Sequence, residues 1–67
     1  MKKYGMLREK IQTVFSTQQA FATAMGKNTA SINAKLNGKT DWTIKEIEKA
    51  CMLLNISMTE MPNYFFY

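Results

Sequence analysis

The sequence predicts an all-α fold, a compact bundle of four to five short helices in a single domain spanning residues 1–67. Apolar residues recur at steps of three and four along most of the chain, which is the spacing of an amphipathic helix. Residues that cap helices precede these runs, and glycines follow two of them. A chain of 67 residues has room for one marginal core, and the lone cysteine, Cys51, excludes a disulfide within the chain.

The first helix is predicted over residues 4–15. Gly5 weakens its start, because glycine loses more conformational freedom on folding than any other residue. The apolar stripe of this helix should face the rest of the bundle. It consists of Met6, Leu7, Ile11, Val14 and Phe15.

The second helix is predicted to begin after Ser16 and Thr17, because both residue types suit an N-cap. Gln19 stands three residues after Ser16, in the spacing of a capping box. Gly26 is expected to end the helix, because a left-handed residue at a helix C-terminus favours glycine. The inner face of the helix carries Phe21, Ala24 and Met25.

The third helix is predicted between the N-cap Asn28 and the stop signal formed by Asn37 and Gly38. Ile32 and Leu36 are its inward residues. Its outer face carries only small or polar side chains, namely Thr29, Ala30, Ser31, Asn33 and Ala34.

The fourth helix is predicted to follow Thr43 and Glu46, which have the spacing of a capping box. Trp42 is expected to pack beside this helix. Burial on its inner face should leave the Cys51 thiol unreactive. The predicted inner stripe is Ile44, Ile47, Ala50, Cys51 and Leu54.

The C-terminal segment combines a short turn with an aromatic tail. Ser57 and Glu60 repeat the capping-box spacing over a fifth turn, which is predicted to break before Pro62. The tail, residues 63–67, suits either a short strand or a plug for the core. Burying a large side chain contributes about 1.5–3 kcal/mol, so covering Phe65 and Phe66 matters to a marginal domain. The tail either folds back on the first helix or builds a dimer contact.

Composition narrows the classes of function. Nine Lys and Arg against five Asp and Glu give a net charge of +4, which favours a polyanionic partner such as nucleic acid. No apolar run approaches the roughly 18 residues of a membrane span, and no apolar stretch follows the basic N-terminus, so a cytoplasmic protein is expected. With no histidine and one thiol, no metal, cofactor or small-molecule ligand is expected, and neither is an enzyme.

Residues 17–39 have the organisation of a helix-turn-helix unit, in which two helices are joined by a turn of three to four residues containing glycine. The close crossing of the two helices needs a small side chain on the first, which Ala22 supplies. The tight turn needs a positive φ, which Gly26 supplies. Ile32 and Leu36 hold one face of the second helix, so that the other face is free for a ligand.

This pattern resembles, over nearly the whole chain, the DNA-binding domain of Cro-like and phage-repressor-like regulators, the xenobiotic-response-element type of helix-turn-helix family. The resemblance implies a lambda-repressor-like domain and a sequence-specific transcriptional regulator, a Cro-like repressor that reads double-stranded operator DNA in the major groove with helix 28–37. It also implies the bacterial cytosol or nucleoid and a homodimer, since one reading helix covers only a few base pairs. The matching motifs are Thr17-Gln18, Phe21-Ala22, Met25-Gly26, Ile32, Asn37-Gly38-Lys39 and the run DWTIKEIEKACMLLNIS at 41–57.

The resemblance also implies a set of contact residues. Contacts to base edges are expected from the outer face of the third helix, by Thr29, Ala30, Ser31, Asn33 and Ala34. Lys27 and Lys35 depart from the family pattern, because apolar residues are usual at both sites, and either lysine could lay its stem over the core. Contacts to the DNA backbone are expected from Gln18, Gln19, Lys27, Asn28, Lys35, Asn37, Gly38, Lys39 and Thr40.

Other interpretations of these features remain open. The outer face of the third helix also fits an ordinary solvated surface. A protein-interaction module on the same fold, such as an antirepressor or antitoxin, would use its surface to dock a partner protein. A membrane binder fits less well, because the lysines are scattered and the apolar faces are needed for the core. On the fourth helix, Lys45 and Lys49 are expected to face water or to pair loosely with Glu46 or Glu48.

Overall fold

The computed structural model describes residues 4–66, and the regular structure of this range is entirely helical. The five helices are α1 (Gly5–Phe15), α2 (Gln18–Met25), α3 (Thr29–Leu36), α4 (Ile44–Leu54) and α5 (Met61–Phe65). The all-α prediction is therefore confirmed, and none of the described helices is long and apolar enough to cross a bilayer. Residues 1–3 and the last residue of the predicted tail, Tyr67, lie outside the described range.

The helices enclose one core, to which α1, α2, α3 and α4 contribute the largest fully buried side chains. These are Leu7, Phe21, Ile32, Leu36 and Leu54. Each such side chain contributes about 1.5–3 kcal/mol when it leaves water, so the inner faces of the helices hold the bundle together. All five were expected inside from helical spacing alone.

Three residues assigned to inner stripes are exposed instead. Ile44 is 68% exposed, Met6 47% and Val14 45%. Ile44 is the first residue of α4, one turn before the stripe meets the body at Ile47. Met6 precedes the buried Leu7 by one residue, which is about 100° around the helix. Val14 lies in the last turn of α1, where less of the body covers the helix.

Side-chain caps define where three of the helices begin. Thr17 Oγ1 accepts the Ala20 N–H at 3.1 Å and starts α2. The predicted pairing of Ser16 with Gln19 is wrong, because Ser16 is instead the C-cap of α1, with φ 70°. The capping box of Thr43 and Glu46 is confirmed at the start of α4.

The C-terminal tail is a helix rather than a strand, and it crosses the proline at which a break was predicted. Pro62 lies in the first turn of α5, where its missing N–H removes no helical hydrogen bond. Phe65 is buried and its ring meets that of Trp42 edge to face, with centroids 5.3 Å apart. The tail therefore supplies a core plug at Phe65, packed on α1, whereas Phe66 is 59% exposed.

The thiol of Cys51 lies on the inner face of α4, where the residue is 4% exposed. Burial raises the pKa of this thiol, because a thiolate loses its hydration in an apolar environment. At neutral pH the reactive thiolate form is therefore scarce.

Candidate functional site

The turn between α2 and α3 contains the left-handed glycine that the sequence predicted. Gly26 ends α2 with φ 75°, and the Lys27 N–H donates to the Ala22 carbonyl at 2.9 Å. Asn28 then starts α3, since its Oδ1 accepts the Ser31 N–H at 2.7 Å. Ala22 is 1% exposed, so that the small side chain sits where the helices meet. Residues 26–28 thus form the turn that places α3 against α2.

The outer face of α3 is uncharged and open. We call it the α3 surface and define it as Thr29, Ala30, Ser31, Asn33 and Ala34. Thr29, Ala30 and Asn33 are exposed, while Ser31 and Ala34 are half-buried. The five residues predicted to contact bases therefore lie together on one helix, and three of them are exposed. Their role as base contacts remains a prediction.

The Asn33 side chain has a neighbour on α2. Gln18 Nε2 donates to Asn33 Oδ1 at 3.4 Å, a long hydrogen bond between two exposed amides. This contact orients the Asn33 amide and leaves its NH₂ group directed away from Gln18. Gln18, which is predicted to contact the DNA backbone, therefore contacts Asn33, which is predicted to contact a base.

Most of the predicted DNA-backbone ligands are exposed and lie shortly before or after the α3 surface along the chain. Gln18 is half-buried, and the exposed members are Gln19, Lys27, Asn28, Asn37, Gly38, Lys39 and Thr40. Two of these side chains already have a structural task. Asn28 caps α3, and Asn37 Oδ1 accepts the Arg8 guanidinium at 2.6 Å. Of the lysines in this group, Lys39 is the one with no contact to an acidic side chain within residues 4–66.

Lys35, which was predicted to contact the DNA backbone, is instead directed into the protein. Lys35 is 9% exposed, and its Nζ lies 3.0 Å from Glu46 Oε1. The same ammonium donates to the Asp41 carbonyl at 3.0 Å and lies 5.9 Å from the centroid of the Trp42 ring. A charge this buried requires partners of this kind, so the ammonium is committed to the protein interior.

The carboxylate of Glu46 is the centre of this arrangement. Its side chain is 11% exposed; besides Lys35, it pairs with Lys27 at 3.3 Å and accepts the Thr43 N–H at 2.9 Å. Burial pushes the pKa of this carboxyl upward, but the hydrogen bonds from the Thr43 backbone, Lys35 and Lys27 and the charge of Lys35 outweigh burial. Together they lower the pKa from an ordinary 4.5 to about 2. The carboxylate is therefore ionised throughout the physiological range.

Arg8 contacts the end of α3 in a way that the sequence did not indicate. From α1 it reaches the C-terminal end of α3, where its Nη2 donates to the Leu36 carbonyl at 3.2 Å as well as to Asn37. A cation suits the C-terminus of a helix, whose last carbonyls are unpaired. These partners are 28 and 29 positions away, so no local spacing could indicate them.

The distribution of charge separates two halves of the chain. Residues 10–40 contain four lysines and no aspartate or glutamate. The five carboxylates lie at Glu9 and within residues 41–60. The stretch that carries α2, α3 and the intervening turn therefore has no acidic side chain of its own, and Glu46 from α4 pairs with two of the four lysines in residues 10–40. The excess of cations in this stretch favours an anionic ligand.

A family model described as a protein of unknown function, DUF739, matches residues 2–67. The chain belongs to this family. It is also similar to the solution structure of the modulator of repression (MOR) of the temperate bacteriophage TP901-1 from Lactococcus lactis, with 38% identity and a TM-score of 0.85. That match covers 97% of this chain and 88% of the phage protein. No curated protein sequence matches the chain.

Proposed function

We propose that this member of the family is a phage-type regulator of transcription that binds specific double-stranded DNA through the α3 surface. The observation that carries the proposal is an exposed helix face of small, uncharged side chains within a stretch that lacks acidic residues. The similarity to a phage modulator of repression supports a role in phage regulation.

The α3 surface has the dimensions and the chemistry of a major-groove reader. A helix with its side chains is about 10–12 Å across, which matches a major groove about 12 Å wide, and the eight residues of α3 extend about 12 Å. The Asn33 amide can pair with adenine, and the Thr29 and Ser31 hydroxyls can donate to or accept from a base edge. Ala30 and Ala34 can contact a thymine methyl. Small side chains let the helix backbone approach the bases closely.

The surrounding polar groups would set register and affinity rather than sequence preference. Lys39 offers an exposed ammonium after α3, and Thr40 an exposed hydroxyl beside it. Gln18 and Gln19 stand in the first turn of α2, where unpaired backbone N–H groups suit a phosphate. Along the chain, Asn37 and Gly38 directly precede Lys39.

The proposal is tested by selecting duplexes from a random pool with the purified protein. We expect an enriched site whose gel shift survives competitor DNA and weakens steeply with salt, because phosphate neutralisation releases counterions. A palindromic site would support two copies of the chain on two half-sites. No enrichment, together with no shift of any duplex at low salt, would exclude DNA reading by this chain.

A second candidate is a protein-interaction module that acts on a repressor rather than on the operator. The relative's description as a modulator of repression favours it, as does the small number of free cations beside α3. In this case the chain would change the gel shift of a purified phage repressor on its operator without shifting the duplex alone. An unchanged repressor–operator shift would exclude it.

A further inference from the structure

A single carboxylate links both ends of α3 to the start of α4. Glu46 Oε1 lies 3.0 Å from the Nζ of Lys35, in the last turn of α3. Glu46 Oε2 lies 3.3 Å from the Nζ of Lys27, in the turn before α3. The Thr43 N–H donates to Oε1 at 2.9 Å, which fixes the carboxylate on the first turn of α4.

The two lysines are held to different degrees. The Lys35 side chain is 11% exposed and has a carbonyl and an aromatic ring as further partners. The Lys27 side chain is 42% exposed, and Glu46 is its partner among the described ion pairs. A partly exposed ion pair contributes little to stability and exchanges readily, so Lys27 is the more easily released.

We infer that Glu46 is a positioning residue for the α3 surface: it sets where α3 lies on the body and holds the Lys27 ammonium away from an anionic ligand. The second part of this inference rests on the proposed DNA binding. The sequence suggested that Lys27 contacts a phosphate, whereas the geometry assigns that lysine to Glu46. Loss of the carboxylate charge should therefore loosen α3 and release one cation to the ligand.

The test compares Glu46→Gln with Glu48→Gln. The first variant keeps an acceptor for the Thr43 N–H and removes the charge that holds Lys27 and Lys35. The second makes the same change of net charge at an exposed position of the same helix. Specific and random duplexes are titrated over a range of salt concentrations with each protein.

We expect Glu46→Gln to steepen the plot of log K against log salt by about 0.9, the slope of one added phosphate contact. The ratio of specific to random affinity should fall by about tenfold, as when one base contact is lost. Glu48→Gln should change neither quantity. Equal behaviour of the two variants would overturn the inference, since only net charge would then matter.

Lys27→Met decides the question independently, because it changes an exposed side chain and should not disturb folding. Alone it should leave the salt slope unchanged, and combined with Glu46→Gln it should return the slope to the wild-type value. A slope reduced by about 0.9 in the single variant would show that Lys27 binds phosphate in the wild type, and the inference would be wrong.

A readout without DNA separates this inference from the proposed function. In ¹⁵N-labelled protein, Glu46→Gln should shift the amide resonances of residues 29–36 and speed their hydrogen exchange, whereas Glu48→Gln should not. Unchanged α3 amides would overturn the positioning role whatever the protein binds. If the wild type bound no duplex, the proposed function would fail and the amide comparison would still decide the placement of α3.

Discussion

At the scale of single residues, the chain buries a lysine, Lys35, on the inner face of α3 and neutralises it with the carboxylate of Glu46. The four-carbon stem of Lys35 can be buried at little cost, whereas its ammonium can be buried only beside a partner. The charge is therefore matched by a carboxylate 11 positions further along the chain. A capping-box motif indicated the local role of Glu46, but nothing in the spacing indicated its two lysine partners.

The first prediction concerns acid stability. The pKa of Glu46 is lowered to about 2 in the folded chain, so its contribution to stability is present above about pH 4.5 and is lost as the pH falls towards 2. The contribution is at most about 3.5 kcal/mol, at about 1.4 kcal/mol per pKa unit. Urea unfolding at a series of pH values should therefore show a loss in the wild type that Glu46→Gln lacks. A wild type and variant with parallel pH profiles would contradict the lowered pKa.

The second prediction separates base reading from phosphate binding. Asn33→Ala should cost about 1–3 kcal/mol on the selected duplex and little on random DNA, because it removes a base contact. Lys39→Met should weaken binding to all duplexes and reduce the salt slope by about 0.9, and Lys49→Met, exposed on α4, serves as the charge-matched control. Equal losses for Asn33→Ala on both kinds of DNA would remove Asn33 from the base-reading set.

At the scale of elements, the sequence predicted where helices begin and end better than it predicted which of their residues face the core. Gly26, Asn28 and the Thr43 capping box are local signals, and each stands where the chain turns or restarts. The burial of Ile44 could not be judged from α4 alone, because it depends on how far the rest of the bundle extends along that helix. The tail was ambiguous for the same reason: aromatic composition suits a strand, and only packing against Trp42 and α1 selects a helix.

The third prediction tests the turn that presents α3. Gly26→Ala should destabilise the fold by about 1–2 kcal/mol, because φ is +75° there and a side chain favours negative φ. No atom lies within 4 Å of the added methyl group, so the cost is one of backbone conformation rather than of collision. Gly5→Ala adds the same group in equally open space on α1 and should stabilise the fold by up to about 1 kcal/mol. Thermal unfolding measures both, and effects of the same sign would contradict the argument.

The fourth prediction concerns α5. Phe65→Ala should cost about 3–5 kcal/mol, because it removes a buried ring from the contact with Trp42. Phe66→Ala, one position along, alters a side chain that is 59% exposed and should cost far less. Chemical denaturation followed by tryptophan fluorescence measures both variants. Similar losses would mean that α5 does not plug the core through Phe65.

At the scale of the whole molecule, size limits how two copies could share a DNA site. The Cα trace measures 27 × 23 × 21 Å, whereas half-sites one helical turn apart are separated by about 34–36 Å. Two copies at that spacing would meet through side chains at their edges. A stable interface buries about 1,200–2,000 Å² in total, so each copy would have to cover about 600–1,000 Å² of its 4443 Å² of surface.

The fifth prediction therefore concerns assembly. The homodimer implied by the family resemblance should be weak in free solution and should form more fully on a palindromic duplex, where the DNA holds two copies side by side. Sedimentation equilibrium with and without the selected duplex measures this, with one half-site as the control. Independent binding of two copies, with no cooperativity on the full site, would argue against a dimer.

The single thiol of the chain has a practical consequence. Because Cys51 lies in the interior with a raised pKa, a maleimide should leave the native protein unlabelled. In the Thr29→Cys variant, the maleimide would then react at position 29, and the wild-type chain would serve as the unlabelled control. A photoactivated crosslinker carried at that position would form its adduct with whatever molecule faces α3, and the mass of the adduct would tell nucleic acid from protein.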